Sequence, residues 1–276
     1  MPTKILYLAI ASEDPIHKKD QQSQRDTFVQ DLHSDSTIYW LHGSKYDSTF
    51  IEDSHIYVDV EEEYSNILQK TIIGIQYLIE FVDFDLIIRT NVSTYFEDAK
   101  IRKMVENIDL GKNFFGGYVE SCQDYFGEGQ KSFNFVSGTG IFLTKSTAKS
   151  LCKMNYQDYI GIPDDVAISH FMKKNDQKIT RMRRTNFSYL HILIGTTYVR
   201  LKSSVHSNLA SQRFLLLYNM RSSRNLAVMA WYFVLLHLNE LRYLDYRLSG
   251  LFRYIQRTFV YLHYDFLTWS NRKVSS

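Results

Sequence analysis

Cysteine is nearly absent: Cys122 and Cys152 are the only two, too few for a disulfide framework and without neighbours that suggest a metal clip, so both are expected to be reduced thiols. Only three prolines occur, which excludes a proline-rich low-complexity class. No run approaches the roughly 18–20 apolar residues needed to cross a bilayer. The N-terminal MPTKILYLAIASED carries a short apolar run that ends in acids, with no longer hydrophobic region and no cleavage site. It is expected to be a first β-strand and not a signal, which points to a cytoplasmic protein. What the chain does have is an ordinary globular balance, 45% apolar and 22% charged over 276 residues, enough for one large domain or one domain plus a tail. The net charge of +2 hides an asymmetry, because residues 213–276 hold nine Lys and Arg against three Asp and Glu. The two parts of the chain therefore face different partners.

The stretch Asp85–Phe96 organises the rest. Leu86, Ile87 and Ile88 form an apolar run that stops in Thr90-Asn91-Val92-Ser93, the pattern of a short central strand buried on both faces. Ligands collect at the carboxyl ends of such strands in open α/β sheets, so Asn91, Ser93 and Thr94 are placed where a bound molecule is handled; the plainer reading is a polar turn. Further strands are expected over 4–11, 37–42, 56–60 and 113–119. A polar loop at 12–25 enters a helix continuing toward Leu32. Glu61–Glu80 reads as a helix whose apolar residues recur at three and four, with three acids in its first turn to suit the helix dipole. On it Lys70 either reaches a phosphate or lines the surface. Residues 96–108 are helical in pattern, and 122–131 read as a glycine-containing loop. Ser137-Gly138-Thr139-Gly140 reads as a turn, and Ser146 as the cap of a helix to Met154. Pro163 keeps Ile162 extended, and Asp164-Asp165 then start a helix with Val166, Ile168, Phe171 and Met172 on its apolar face. As residues alone, such acids are commonly caps and dipole partners.

Taken together, Gln24-Arg25-Asp26-Thr27-Phe28, Asn66-Ile67-Leu68-Gln69-Lys70-Thr71, the 133–143 segment and Pro163-Asp164-Asp165-Val166 stand in an order that resembles the β-1,3-galactosyltransferase, N-acetylglucosaminyltransferase and Fringe group, glycosyltransferase family 31. The resemblance covers residues 4–206 and implies an α/β fold of GT-A type, a mixed central sheet flanked by helices, over 1–211. It implies inverting transfer of a sugar from a nucleotide donor, expected to be UDP-linked, to a hydroxyl of a surface glycan or glycolipid. Asp165 is the implied general base, taking the acceptor proton as the oxygen attacks the anomeric carbon. Asp164 orients the acceptor or raises its neighbour's pKa by like charge. Arg25, Lys70 and Arg89 are expected donor-binding residues, together with Asn91 and Ser93. Ser137, Gly138, Thr139 and Gly140 are expected at the sugar and acceptor.

The sequence departs from the group at one place. Where the group has an acidic D-x-D element holding a divalent metal, Mn or Mg, this chain has Asn91-Val92-Ser93 without a carboxylate. Either a metal is held weakly, with Asn91, Ser93 and His206 as the candidate residues, or, as preferred, Arg200 and Lys202, alternating on a strand-like stretch, replace it as neutralisers of the leaving diphosphate. Arg181-Met182-Arg183-Arg184 lacks the aromatic interleaving of a nucleic-acid patch and is expected to be a solvated edge strand, so no nucleic-acid partner is expected. Residues 212–276 read as basic, aromatic-rich helices able to lie on an anionic membrane surface, or to pack on the catalytic domain or on a second copy of the chain. Two further readings stand beside the enzyme: a catalytically inactive nucleotide- or glycan-binding relative, and a membrane-surface scaffold.

Overall fold

Ile5–Ile10 (β1) is buried at every position, the condition of a strand covered on both faces. The computed structural model describes residues 2–127, 129, 132–186, 198–201 and 218; Lys202, His206 and all of 212–276 except Tyr218 lie outside them. After β1 come Pro15–Arg25 (α1), Ser36–Ser44 (β2), Phe50–Glu52 (β3), His55–Asp59 (β4), Ile67–Phe81 (α2), Leu86–Asn91 (β5) and Thr94–Phe96 (β6). Then follow Asp98–Val105 (α3), Phe115–Cys122 (β7), Phe133–Thr144 (β8), Lys145–Leu151 (α4), Asp164–Lys174 (α5), Ile179–Arg181 (β9), Thr185–Asn186 (β10) and Tyr198–Arg200 (β11). Among the described residues, eight strands make one sheet in the order β3-β4-β2-β1-β5-β8-β7-β9, and β10-β11-β6 make a second. The large sheet is mixed: β4, β2, β1 and β5 run parallel, while β8 is antiparallel to both β5 and β7. The protein is thus an α/β protein with a mixed sheet.

Alternation along β1 divides the core. Ile5, Tyr7 and Ala9 face Phe28 and the α3 residues Ile101 and Val105. Leu6, Leu8 and Ile10 face the other layer, where α2 contributes Leu68, Ile72, Ile75 and Leu78, and α5 contributes Ile168 and Met172. The apolar spacing of α2 read from sequence is what lets one helix cover the sheet along its length. Because β2 lies on one side of β1 and β5 on the other, strand order reverses at β1, and Ile10 pairs with Asn91 at the carboxyl ends. A reversal of this kind opens a crevice above the sheet.

Several boundaries differ from the sequence expectation. α1 opens with Pro15, Asp14 Oδ1 accepting from the Ile16 N–H at 2.7 Å, and stops at Arg25 instead of continuing toward Leu32. There the chain leaves helical geometry at Thr27. α2 starts at Ile67, so Glu61–Glu63 are not its first turn; Glu62 is used elsewhere, as described below. Ser137–Gly140 is no turn but the middle of the twelve-residue strand β8. α4 begins one residue before Ser146, with Thr144 in the cap position. The hairpin strand β3 had no legible pattern.

β7 slips register against β8 between Gly117 and Val119. Gly117 sits at φ +155, and a Cβ there would stand 2.3 Å from Gly140 O and 2.4 Å from Val136 Cγ1. Gly117→Ala must push two strands apart, so it is expected to cost at least about 2 kcal/mol, read as a fall in the chemical-denaturation midpoint; an unchanged midpoint would show that the β7–β8 contact yields freely.

Candidate functional site

β5 sends Leu86 and Ile88 to the α3 layer and Ile87 to the α2 layer, so by alternation Arg89 follows Ile87 near the strand's carboxyl end. Arg89 is only 4% exposed. Its Nη1–H donates to Gly138 O at 2.7 Å, and its Nη2 pairs with Asp164. Gly138 also donates its own N–H to Asp165 Oδ2 at 2.9 Å, and Asp165 Oδ1 accepts from the Val166 N–H at 3.0 Å. The two peptide groups that flank the Gly138 Cα are therefore held, one by Arg89 on its oxygen and the other by Asp165 on its N–H. A Cβ on residue 138 would lie 2.4 Å from Arg89 Nη1, so glycine is what allows the approach.

Burial, and then the adjacent Asp164 charge, push the Asp165 carboxyl up to about 6 against the opposing pull of the Gly138 N–H and Arg89. A carboxylate of that basicity, fixed by two N–H donors, can take a proton near neutrality.

Lys70 is neither a surface residue nor a free cation. At 2% exposure it donates to Ala11 O at 2.9 Å and pairs with Glu62. Burial lowers its pKa, and Glu62 acts against that shift. Glu62 Oε2 also accepts from the Gly43 N–H at 2.6 Å. From its place outside α2, the Glu62 carboxylate thus binds the Gly43 N–H of β2 and, through Lys70, the Ala11 O at the end of β1.

Asn91 closes on itself. Its Oδ1 accepts from Ser93 N–H at 3.1 Å, Ser93 O–H at 2.8 Å and Thr94 O–H at 3.0 Å, an Asx turn linking β5 to β6. An amide oxygen already accepting three hydrogen bonds is a poor ligand for a hard cation, and Ser93 turns its proton inward. Asn91 and Ser93 thus do not fit a divalent metal, and among the described residues no group of three or more His, Cys, Asp or Glu is placed to hold one. β11 borders the turn: Arg200 stands opposite Thr94 in register, and the Leu201 N–H donates to Ser93 O at 2.9 Å.

Ser137 and Thr139, expected at the sugar, are buried, and their hydroxyls accept from Arg184 Nη1 at 3.0 and 2.8 Å. Arg184 also pairs with Glu120 and stacks over Tyr118 at 4.0 Å. The expectation of a solvated basic edge holds for the exposed Arg181 but not for Arg184, whose guanidinium is drawn into the molecule by those two hydroxyls. Gly140 leaves room for the Tyr198 ring, 3.0 Å from where its Cβ would be.

A cavity of about 280 Å³ opens on the opposite, α1 side of β2 and β4, lined by Glu13, Lys18, Arg25, His42, His55 and Tyr57 among others. Arg25 lies 4.5 Å over Trp40 and bonds His55 Nε2. Burial lowers both histidine pKa values, His42 to about 4, so both rings are neutral at pH 7. Arginine only donates, so His55 accepts at Nε2 and donates from Nδ1 to His42 Nε2 at 2.8 Å. That leaves the His42 proton on Nδ1, which is buried without a hydrogen bond, 3.3 Å from Glu13 Oε1. The cavity and the acids lie on different faces of the sheet but are joined at its end, because His42 precedes Gly43, whose N–H is held by the Glu62 that pairs with Lys70. His42, His55 and Glu13 carried no expectation from the sequence, and Glu62 and Arg184 were expected only as a helix-dipole acid and a solvated edge residue. Only the spacing Trp40-x-His42 and His55-x-Tyr57, two strands presenting polar rings at alternate positions, carried a signal.

No family model and no curated protein matches the chain. Among solved structures it is similar to a glycosyltransferase involved in glycosylation of the major capsid of PBCV-1, at 10% identity and TM-score 0.48, covering 77% of this chain and 98% of that one. It is also similar to the galactosyltransferase LgtC in complex with donor and acceptor sugar analogues, at 12% identity and TM-score 0.45, covering 82% and 99%. A third is the glycosyltransferase GlyE of Streptococcus pneumoniae TIGR4, at 10% identity and TM-score 0.44, covering 84% and 63%. Likenesses this distant carry no assignment of residues or activity to this chain.

Because folding raises the Asp165 pKa from 3.8 to about 6, the native state holds that proton more tightly than the unfolded chain. Its contribution is fully present below pH 3.8 and is lost as pH rises through 6. Asp165→Asn keeps the Gly138 acceptor and removes the buried charge, so at pH 8 it is expected to stabilise the protein on the order of 2–3 kcal/mol, seen as a Tm higher by several degrees and a gain that vanishes near pH 4. A lowered Tm at pH 8 would mean the ionised form is well solvated. Gly138→Ala is expected to lose this gain and to destabilise at both pH values, because the new methyl group displaces Arg89 from the peptide.

Proposed function

We propose that the protein is a glycosyltransferase of GT-A type that transfers a sugar, with inversion, from a nucleotide-sugar to a hydroxyl of a glycan or glycolipid. The observation that carries this is Asp165: a half-buried, oriented carboxylate of raised basicity at the carboxyl end of the central sheet, next to an arginine-bound partner acid. The acceptor O–H gives its proton to Asp165, its oxygen forms the new bond to the anomeric carbon, and the bond to the diphosphate breaks with its electron pair going to the phosphate oxygen. Asp164, neutralised by Arg89, positions its neighbour and the β8 peptide. Gly138 lets that peptide approach.

The cavity beside Arg25 suits the base end of such a donor. The His42 Nδ1–H beside the Glu13 carboxylate offers one donor and one acceptor, matching the O=C–N–H edge of uracil, so a UDP-sugar is the expected substrate. Family-31-like β-1,3 transfer and contact with an anionic membrane through 212–276 belong to the same proposal, the latter resting on residues outside those described; among the described residues no helix is long and apolar enough to cross a membrane.

A donor-binding relative without turnover is the second reading, favoured by the missing acids at 91–93. Turnover separates the two. With UDP-sugars, Asp165→Asn is expected to lower kcat by about 10²–10⁴-fold, with donor KM changed little. For the wild type, kcat/KM is expected to rise with unit slope up to about pH 6 and to level off above it. Equal activity of the variant would remove Asp165 as base; nucleotide binding without any turnover would establish the silent relative.

A further inference from the structure

Three oxygens of the turn at the end of β5 are already engaged. Asn91 Oδ1 accepts the three hydrogen bonds described above, Asn91 O accepts from Gln24 Nε2 at 3.3 Å, and Ser93 O accepts from the Leu201 N–H at 2.9 Å. A cation approaching Asn91 Oδ1 would meet the positive ends of the same N–H and O–H groups, and freeing that oxygen would dismantle the turn. The nearby buried cations do not make up the charge by themselves, because Lys70 is matched by Glu62 and Arg89 by Asp164. One further basic residue is brought to the turn by topology: β11 clasps it and carries Arg200 opposite Thr94.

We infer that the site binds a nucleoside diphosphate without a divalent cation, the strand carrying Arg200 supplying the positive charge where acids and a metal would otherwise stand. The inference rests on the nucleotide-sugar reading and adds to it how the leaving group is neutralised. Arg200 is assigned by its register beside the turn. A basic residue at that register position adds positive charge near the turn, in the same electrostatic sense as a metal but at lower charge.

The test is calorimetric titration of the full chain with UDP, GDP and dTDP, each in excess EDTA and again in Mn²⁺, with free Mn²⁺ followed separately by EPR on protein alone. Expected are dissociation constants that agree within about twofold between the two conditions, no depletion of free Mn²⁺, and affinity at least about tenfold weaker in Arg200→Gln. Binding that needs Mn²⁺, or tightens about tenfold with it, overturns the inference while leaving the nucleotide-sugar reading intact. Unchanged affinity in Arg200→Gln, with circular dichroism showing a folded variant, overturns the part given to that strand. Failure of all three diphosphates to bind in either condition, with no turnover of any nucleotide-sugar, removes both readings together.

Discussion

The guanidinium of Arg89 is what permits two adjacent carboxylates to sit at the end of a buried sheet. Unpaired, either acid would be driven toward neutrality by its surroundings. Arg89 takes one of them directly and reaches the other through Gly138, whose carbonyl oxygen it holds and whose N–H binds Asp165. The division is unequal. Asp164 receives the countercharge, while Asp165 receives a neutral N–H and the full effect of burial, which is why its basicity is raised. Two residues identical in sequence chemistry are given different surroundings by one side chain from another strand.

A second ion pair, buried at its lysine and open to solvent at its glutamate, lies across the crevice. Lys70 and Glu62 connect the ends of β1 and β2 through Ala11 O and the Gly43 N–H. Desolvating the Lys70 ammonium offsets much of the pair's attraction, yet removing Glu62 would leave that buried cation stranded. What the pair does is tie the end of β1, at Ala11 O, to β2, at the Gly43 N–H.

The framework was readable in the sequence where a single pattern had a single structural meaning. Uninterrupted apolar residues gave β1 and β5, three-and-four spacing gave α2, and Pro163 before two acids gave the start of α5. Reading failed where one pattern has two meanings. Glu62 in an acidic run looks like a dipole partner, yet its carboxylate is needed at Gly43. Ser-Gly-Thr-Gly looks like a turn, yet its glycines make room for Arg89 and Tyr198 within a strand. Arg184 is indistinguishable from its solvated neighbours until two hydroxyls of β8 are brought beside it. The histidine relay was illegible for a different reason, because it exists only in the register of β2 with β4, where Trp40 pairs with His55 and His42 with Tyr57.

The large sheet is bounded on both sides by very short strands, β3 and β9, each three residues long. A flanking strand of that length offers few unpaired backbone groups to an incoming chain, and the exposed Arg181 at the end of β9 repels a like-charged approach. Among the described residues, the long, apolar middle strands are thereby kept away from the rims where another chain could add laterally.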